Sequence, residues 1–105
     1  MIYAAKARQQ IADLIDHYER KLRPEATLAI SEALSIAERQ IAARPETGLS
    51  APRPYPSLAS DGEAWIKAGR YWITYSTTRP PVILAVFYDT ADIPGRIARD
   101  KGPLT

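Results

Sequence analysis

Gly69-Arg70-Tyr71-Trp72-Ile73-Thr74-Tyr75 is the stretch that decides the fold. Tyr71, Ile73 and Tyr75 alternate with Trp72, Thr74 and Ser76, which is the two-residue period of a strand. Ala68-Gly69-Arg70 before them reads as a tight turn, and Ala64 to Ala68 as the strand leading into it. Downstream, Val82 to Tyr88 is a continuous apolar run rich in β-branched and aromatic residues, the composition of another strand. Thr77-Thr78-Arg79-Pro80-Pro81 separates the two as a hairpin turn. A β-meander over residues 64–89 follows. If Tyr71, Ile73 and Tyr75 face the core, Trp72 faces away, and an outward tryptophan needs a covering segment, a partner or a ligand.

A sheet with one apolar face needs something laid on it, and the N-terminal half supplies it. Ile11, Leu14, Ile15, Tyr18 and Leu22 fall at i, i+3, i+4, i+7 and i+11 and, with Ala7, form one stripe of an amphipathic helix from about Ala4 to Lys21. Arg23-Pro24 ends it, because the residue before proline disfavours helical geometry. Pro24 suits the first turn of a second helix. Ile30, Leu34, Ala37 and Ile41 repeat the stripe there, and Ala26, Ala29 and Ala33 widen it with small side chains. So short a link makes the helices antiparallel neighbours, a hairpin over residues 4–44. Residues 45–63 carry Pro45, Pro52, Pro54 and Pro56, and Leu49, Tyr55 and Leu58 are spaced to pin this loop across the surface. Ile2-Tyr3 is left as the remnant of a first strand, short or absent. The reading is an α+β domain over residues 1–105: two antiparallel helices on a three- to four-stranded antiparallel sheet, with residues 90–105 as a tail or helical turn.

Composition bounds the function. The chain has 105 residues, 46% hydrophobic and 25% charged, enough for one core. It has no cysteine, which removes disulfides, thiolate metal sites and a thiol nucleophile together and fits a reducing, cytoplasmic compartment. No run approaches the roughly 20 apolar residues of a membrane span, so no membrane association is expected. A net charge of +2 is too mild to imply nucleic-acid binding. Its distribution says more: residues 1–44 hold seven basic and six acidic side chains, whereas residues 64–88 hold Lys67, Arg70 and Arg79 and no carboxylate.

Familiar catalytic patterns are missing. His17 is the single histidine, on a helix, without a Ser/Asp pair at recognisable spacing. One histidine and no cysteine offer no metal site, and no glycine-rich phosphate cradle is present, so no cofactor is expected. The remaining chemistry lies on the sheet. Trp65, Lys67, Arg70, Trp72, Arg79 and Tyr88 combine cations with aromatic faces, a means of gripping RNA. The competing reading is that strand aromatics serve cross-strand and core packing, and that three basic residues keep a sheet soluble.

In order along the chain stand Ala7-x-x-x-Ile11-x-x-Leu14-Ile15-x-x-Tyr18, Arg44-Pro45-x-x-Gly48, Gly69-x-Tyr71-x-Ile73-x-Tyr75 and Asp92-Ile93-Pro94. This order resembles the RelE/ParE superfamily of type II toxin–antitoxin toxins, on the ParE-like or plasmid-stabilisation side. The resemblance implies a strand, two antiparallel helices and an antiparallel sheet, a cognate antitoxin as partner, and a homodimer or a toxin–antitoxin hetero-oligomer. Ile30, Leu34, Trp65 and Trp72 are the apolar positions that could meet the antitoxin. RelE-like members are metal-independent, ribosome-dependent ribonucleases whose basic side chains stabilise the reacting phosphate, a role that would fall on Lys67, Arg70, Arg79 and Tyr88. Trp72 and Ala91 stand where that family has arginine. The gap in the basic set favours the ParE-like activity, inhibition of DNA gyrase by binding, with no catalytic residue to carry over. Ribosome-dependent mRNA cleavage and a non-toxic relic that only binds a partner are the alternatives.

Overall fold

The computed structural model describes residues 1–100, with side chains described to residue 99. The elements run β1 (Ile2–Tyr3), α1 (Ala5–Arg20), α2 (Pro24–Ala43), β2 (Glu63–Ala68), β3 (Tyr71–Ser76), β4 (Val82–Tyr88) and α3 (Ile93–Asp100), with single 3₁₀ turns at Pro45–Thr47 and Pro56–Leu58. The fold is α+β. The strands form one four-stranded sheet in the order β1-β4-β3-β2.

The sheet is mixed, which corrects the antiparallel expectation. The meander β2-β3-β4 is antiparallel, but β1 runs parallel to β4, pairing Ile2 with Val82 and Tyr3 with Ile83. Two residues carry no period from which a direction could be read. Beyond those two residues the outer edge of β4 has no strand beside it among the described residues. There the Val86 N–H donates to Oε1 of Gln10, from α1, at 2.9 Å.

The turn between β2 and β3 needs its glycine. Ala68 pairs with Tyr71, leaving Gly69-Arg70 as a two-residue loop, and Gly69 has φ of +57° while Arg70 is not left-handed. That is the type II′ pattern, whose twist matches the strands it joins.

The α1–α2 link differs from the expected stripe. α1 stops at Arg20. The Arg23 N–H donates to Tyr18 O at 2.8 Å and the Leu22 N–H to Glu19 O at 3.0 Å, the paired bonds of a Schellman ending. Leu22 therefore lies past the helix, at φ of +53° and 85% exposed, in the position glycine usually takes.

Both faces of the sheet are covered. One face presents Tyr71, Ile73, Tyr75, Ile83 and Val86 to Ala7 of α1 and to Ile30, Ala33, Ala37 and Ile41 of α2. Leu34 packs against this cluster half-buried. The other face presents Trp65, Trp72, Ala85 and Phe87, covered by Tyr55 and Leu58 of the Pro-rich loop and by Ile93 and Ile97 of α3. The loop is pinned as expected, and Leu49 also exchanges two backbone hydrogen bonds of 2.7 Å with Trp65. The expected tail is, up to residue 100, a helix capped by Asp92, whose carboxylate accepts the Gly95 N–H at 3.2 Å. Its residues 101–105 lie outside the described residues.

Candidate functional site

At the end of the sheet bearing the β2–β3 turn, the helical hairpin and the strands open into a cleft of about 600 Å³. His17, Tyr18, Arg23, Glu25, Ala29 and Ile36 line its helical wall, and Arg70, Tyr71 and Tyr88 its sheet wall. The register explains the sheet wall. Tyr71 pairs with Tyr88, so the turn residue Arg70 falls across from Asp89, whose N–H donates to Arg70 O at 2.8 Å.

Arg70 donates from Nε and Nη2 to the two oxygens of Asp89 at 2.9 and 3.2 Å, the forked geometry that guanidinium and carboxylate favour. Its guanidinium sits 5.1 Å from the centre of the Tyr88 ring. Lys67 Nζ reaches the same carboxylate at 3.5 Å. Hydrogen bonding from Arg70 holds the Asp89 carboxyl below its ordinary range, and the charges of Arg70 and Lys67 add to this. Tyr88 meets Tyr71 edge to face at 5.5 Å, and the Tyr71 and Tyr18 hydroxyls are 2.5 Å apart. Burial, then the bond to Tyr18, pushes the Tyr71 phenol well above its ordinary value, so at neutral pH it is an uncharged phenol and not a base. At the rim, Arg23 Nε pairs with Glu25 Oε1 at 2.6 Å across exposed side chains.

Three of the four ribonuclease candidates, Lys67, Arg70 and Tyr88, therefore gather around Asp89. Arg79 does not join them. It lies in the β3–β4 turn, at the opposite end of a six-residue strand, roughly 15–20 Å away along the sheet. The expected positive patch is an ion-paired cluster. Asp89 sits one residue beyond the carboxylate-free stretch, and the meander register alone brings it across from Arg70.

The aromatic candidates are closed off. Trp72 is 3% exposed, with Lys67 Nζ and the Arg53 guanidinium each 5.8 Å from its ring centre. Trp65 is 2% exposed and stacks on Phe87 at 6.1 Å, and among the described residues its indole N–H has no hydrogen-bond partner. Neither ring offers a free face for a base. Of the four expected antitoxin positions, Ile30, Trp65 and Trp72 are core residues, out of reach of a partner in this conformation, and Leu34 alone keeps some exposure. The large apolar side chains that do reach solvent include Leu22, Leu28 and Ile36. The signal for the last two was present: both lie off the Ile30–Ile41 stripe of a helix that is apolar on more than one side.

Among the described residues no helix is long and apolar enough to cross a membrane, and no group of three or more potential metal ligands gathers. No protein-family model matches this chain, and no curated protein matches it.

Proposed function

We propose that this chain is the toxin of a two-component toxin–antitoxin pair of RelE/ParE type, acting in the ParE manner by binding and inhibiting DNA gyrase and neutralised by a cognate antitoxin. Two things support the type: the residue order given above, and the succession of short strand, helical hairpin and meander. The observation that favours binding over RNA cleavage is Asp89. It engages both Lys67 and Arg70, so the cations that would stabilise a reacting phosphate already hold a carboxylate. Trp72, where a further cation would be needed, is buried.

Expression without the antitoxin is expected to arrest growth, and the purified protein to block supercoiling by gyrase. Supercoiling left untouched at large molar excess overturns the reading. One feature favours the ribonuclease alternative: Lys67, Arg70 and Tyr88 do converge. On that alternative, primer extension on cellular mRNA during expression shows new cleavage ends, and Asp89→Asn increases them by freeing the two cations.

A further inference from the structure

Residues 28–43 of α2 show two different sides. Ile30, Ala33, Ala37 and Ile41 are buried against the sheet. The opposite side exposes Leu28, Ala29, Glu32, Ser35, Ile36, Arg39, Ala42 and Ala43. Leu28 is 60% exposed and Ile36 37%. A helix apolar on both sides is expected to be covered on both. The exposed residues fall on two adjacent heptad lines, Leu28-Ser35-Ala42 and Ala29-Ile36-Ala43, with Glu32 and Arg39 between them.

The two charges identify the occupant. Among the described residues neither Glu32 nor Arg39 has an ion-pair partner within the chain. They stand seven residues apart, about 10 Å along the helix, too far to pair with each other. Both are equidistant from the point between Ser35 and Ile36. So are Leu28 and Ala43, and so are Ala29 and Ala42. A second α2 laid antiparallel about a two-fold axis through that point places Glu32 of each copy opposite Arg39 of the other. It also places Leu28 over Ala43 and brings the Ile36 side chains together at the axis. A parallel arrangement sets Glu32 against Glu32 and Arg39 against Arg39, which repel. Shallow grooves flank the face along its length: the cleft described above beside Ala29 and Ile36, and a second of about 380 Å³ beside Arg39 and Ala43.

We infer that the outer face of α2 is a homodimer interface, seating a second copy of this chain antiparallel through Leu28, Ile36 and reciprocal Glu32–Arg39 pairs. The surface is self-complementary, as a two-fold interface requires. It shares Ala29, Glu32 and Ile36 with the helical wall of the cleft, but not Lys67, Arg70, Trp72 or Asp89, on which the functional reading rests.

Sedimentation equilibrium on the full chain over about 1–200 μM tests it. Wild type should approach twice 11.7 kDa within that range. Glu32→Arg and Arg39→Glu should each weaken association by about tenfold or more, through like charges brought together. The double exchange Glu32→Arg/Arg39→Glu should restore it to within about threefold of wild type, because the reciprocal pairs re-form with sign reversed. Leu28→Glu should also give monomer. All of these positions are exposed, and far-ultraviolet circular dichroism checks that each variant stays folded. A monomeric wild type throughout the range overturns the proposal and leaves the face to a different protein. So does a dimer that Glu32→Arg does not weaken, or a double exchange no better than the single changes.

Discussion

The two faces of the sheet are covered in different ways. One lies under a helical hairpin of 16- and 20-residue helices, joined by a helix ending with both of its cross-bonds made. Its helical side is built from small and branched side chains, Ala7, Ile30, Ala33, Ala37 and Ile41, which let the helices approach closely over Tyr71, Ile73 and Tyr75 of the sheet. The other lies under a proline-rich loop and the eight-residue α3, and its core is mainly aromatic, with Trp65, Trp72 and Phe87. Irregular backbone cannot pack closely on a pleated surface. Large flat rings fill the space that a second helix layer would otherwise occupy. The side chains that looked suited to stacking a ligand are what makes a loop-covered face dry.

Removing one large side chain from each face has the largest expected effect. Trp65→Ala should cost about 3–5 kcal/mol and Ile30→Ala about 2–5 kcal/mol in urea-unfolding free energy, since both create cavities in closed cores. A Trp65→Ala loss below about 1 kcal/mol would mean that the loop-covered face is open surface. Next is Gly48→Ala, at the junction of α2 and the loop. An added Cβ would overlap the Tyr75 hydroxyl and lie 2.8 Å from the Ala64 Cβ. The same hydroxyl donates to Pro45 O at 2.7 Å, so it cannot move aside freely. A loss of about 1–3 kcal/mol is expected by thermal denaturation. In the hairpin the expected change has the opposite sign. Leu22→Gly relieves a left-handed leucine that packs on little, and should raise stability by about 1 kcal/mol.

The smallest effect lies at the edge of the cleft. Asp89→Asn should cost at most about 1 kcal/mol near neutral pH, the ceiling for a solvent-screened pair. Its signature is in pH. The folded carboxyl titrates below the ordinary 3.8, so its contribution is complete above that value and lost as pH falls through the lower folded one. Wild type should therefore lose stability more steeply than Asp89→Asn below about pH 4. Parallel pH profiles would show that the Arg70–Asp89 fork adds nothing.

Periodicity made the helical hairpin, the meander and the pinned loop legible, because each signal repeats within its own segment. What could not be read depends on pairing between distant segments. The direction of β1 is set by Val82 and Ile83, eighty residues away. The partner of Lys67 and Arg70 is a residue just past the end of β4, visible only once Tyr71 is set against Tyr88. Leu22 belongs by spacing to the α1 stripe, yet the helix ending takes it out of that stripe. The cover over Trp72 was half legible: Leu49, Tyr55 and Leu58 marked the loop as anchored. Asp92, Ile93 and Ile97, which place α3 over the same face, sit around a Pro94-Gly95 pair that argues against a helix.

Gln10 bears on what happens between molecules. A strand edge with free N–H groups recruits foreign strands, and repeated recruitment is how folded sheets polymerise into fibres. By accepting the Val86 N–H, the Gln10 amide occupies the place where an incoming strand would form its bond. A half-buried side chain of α1 thus closes a backbone donor that the sheet leaves without a strand partner. Gln10→Ala should leave the N–H of the buried Val86 unpaired, lower the melting temperature by several degrees, and shorten the lag before thioflavin-positive fibres form. An unaltered lag would show that the edge is protected by other means.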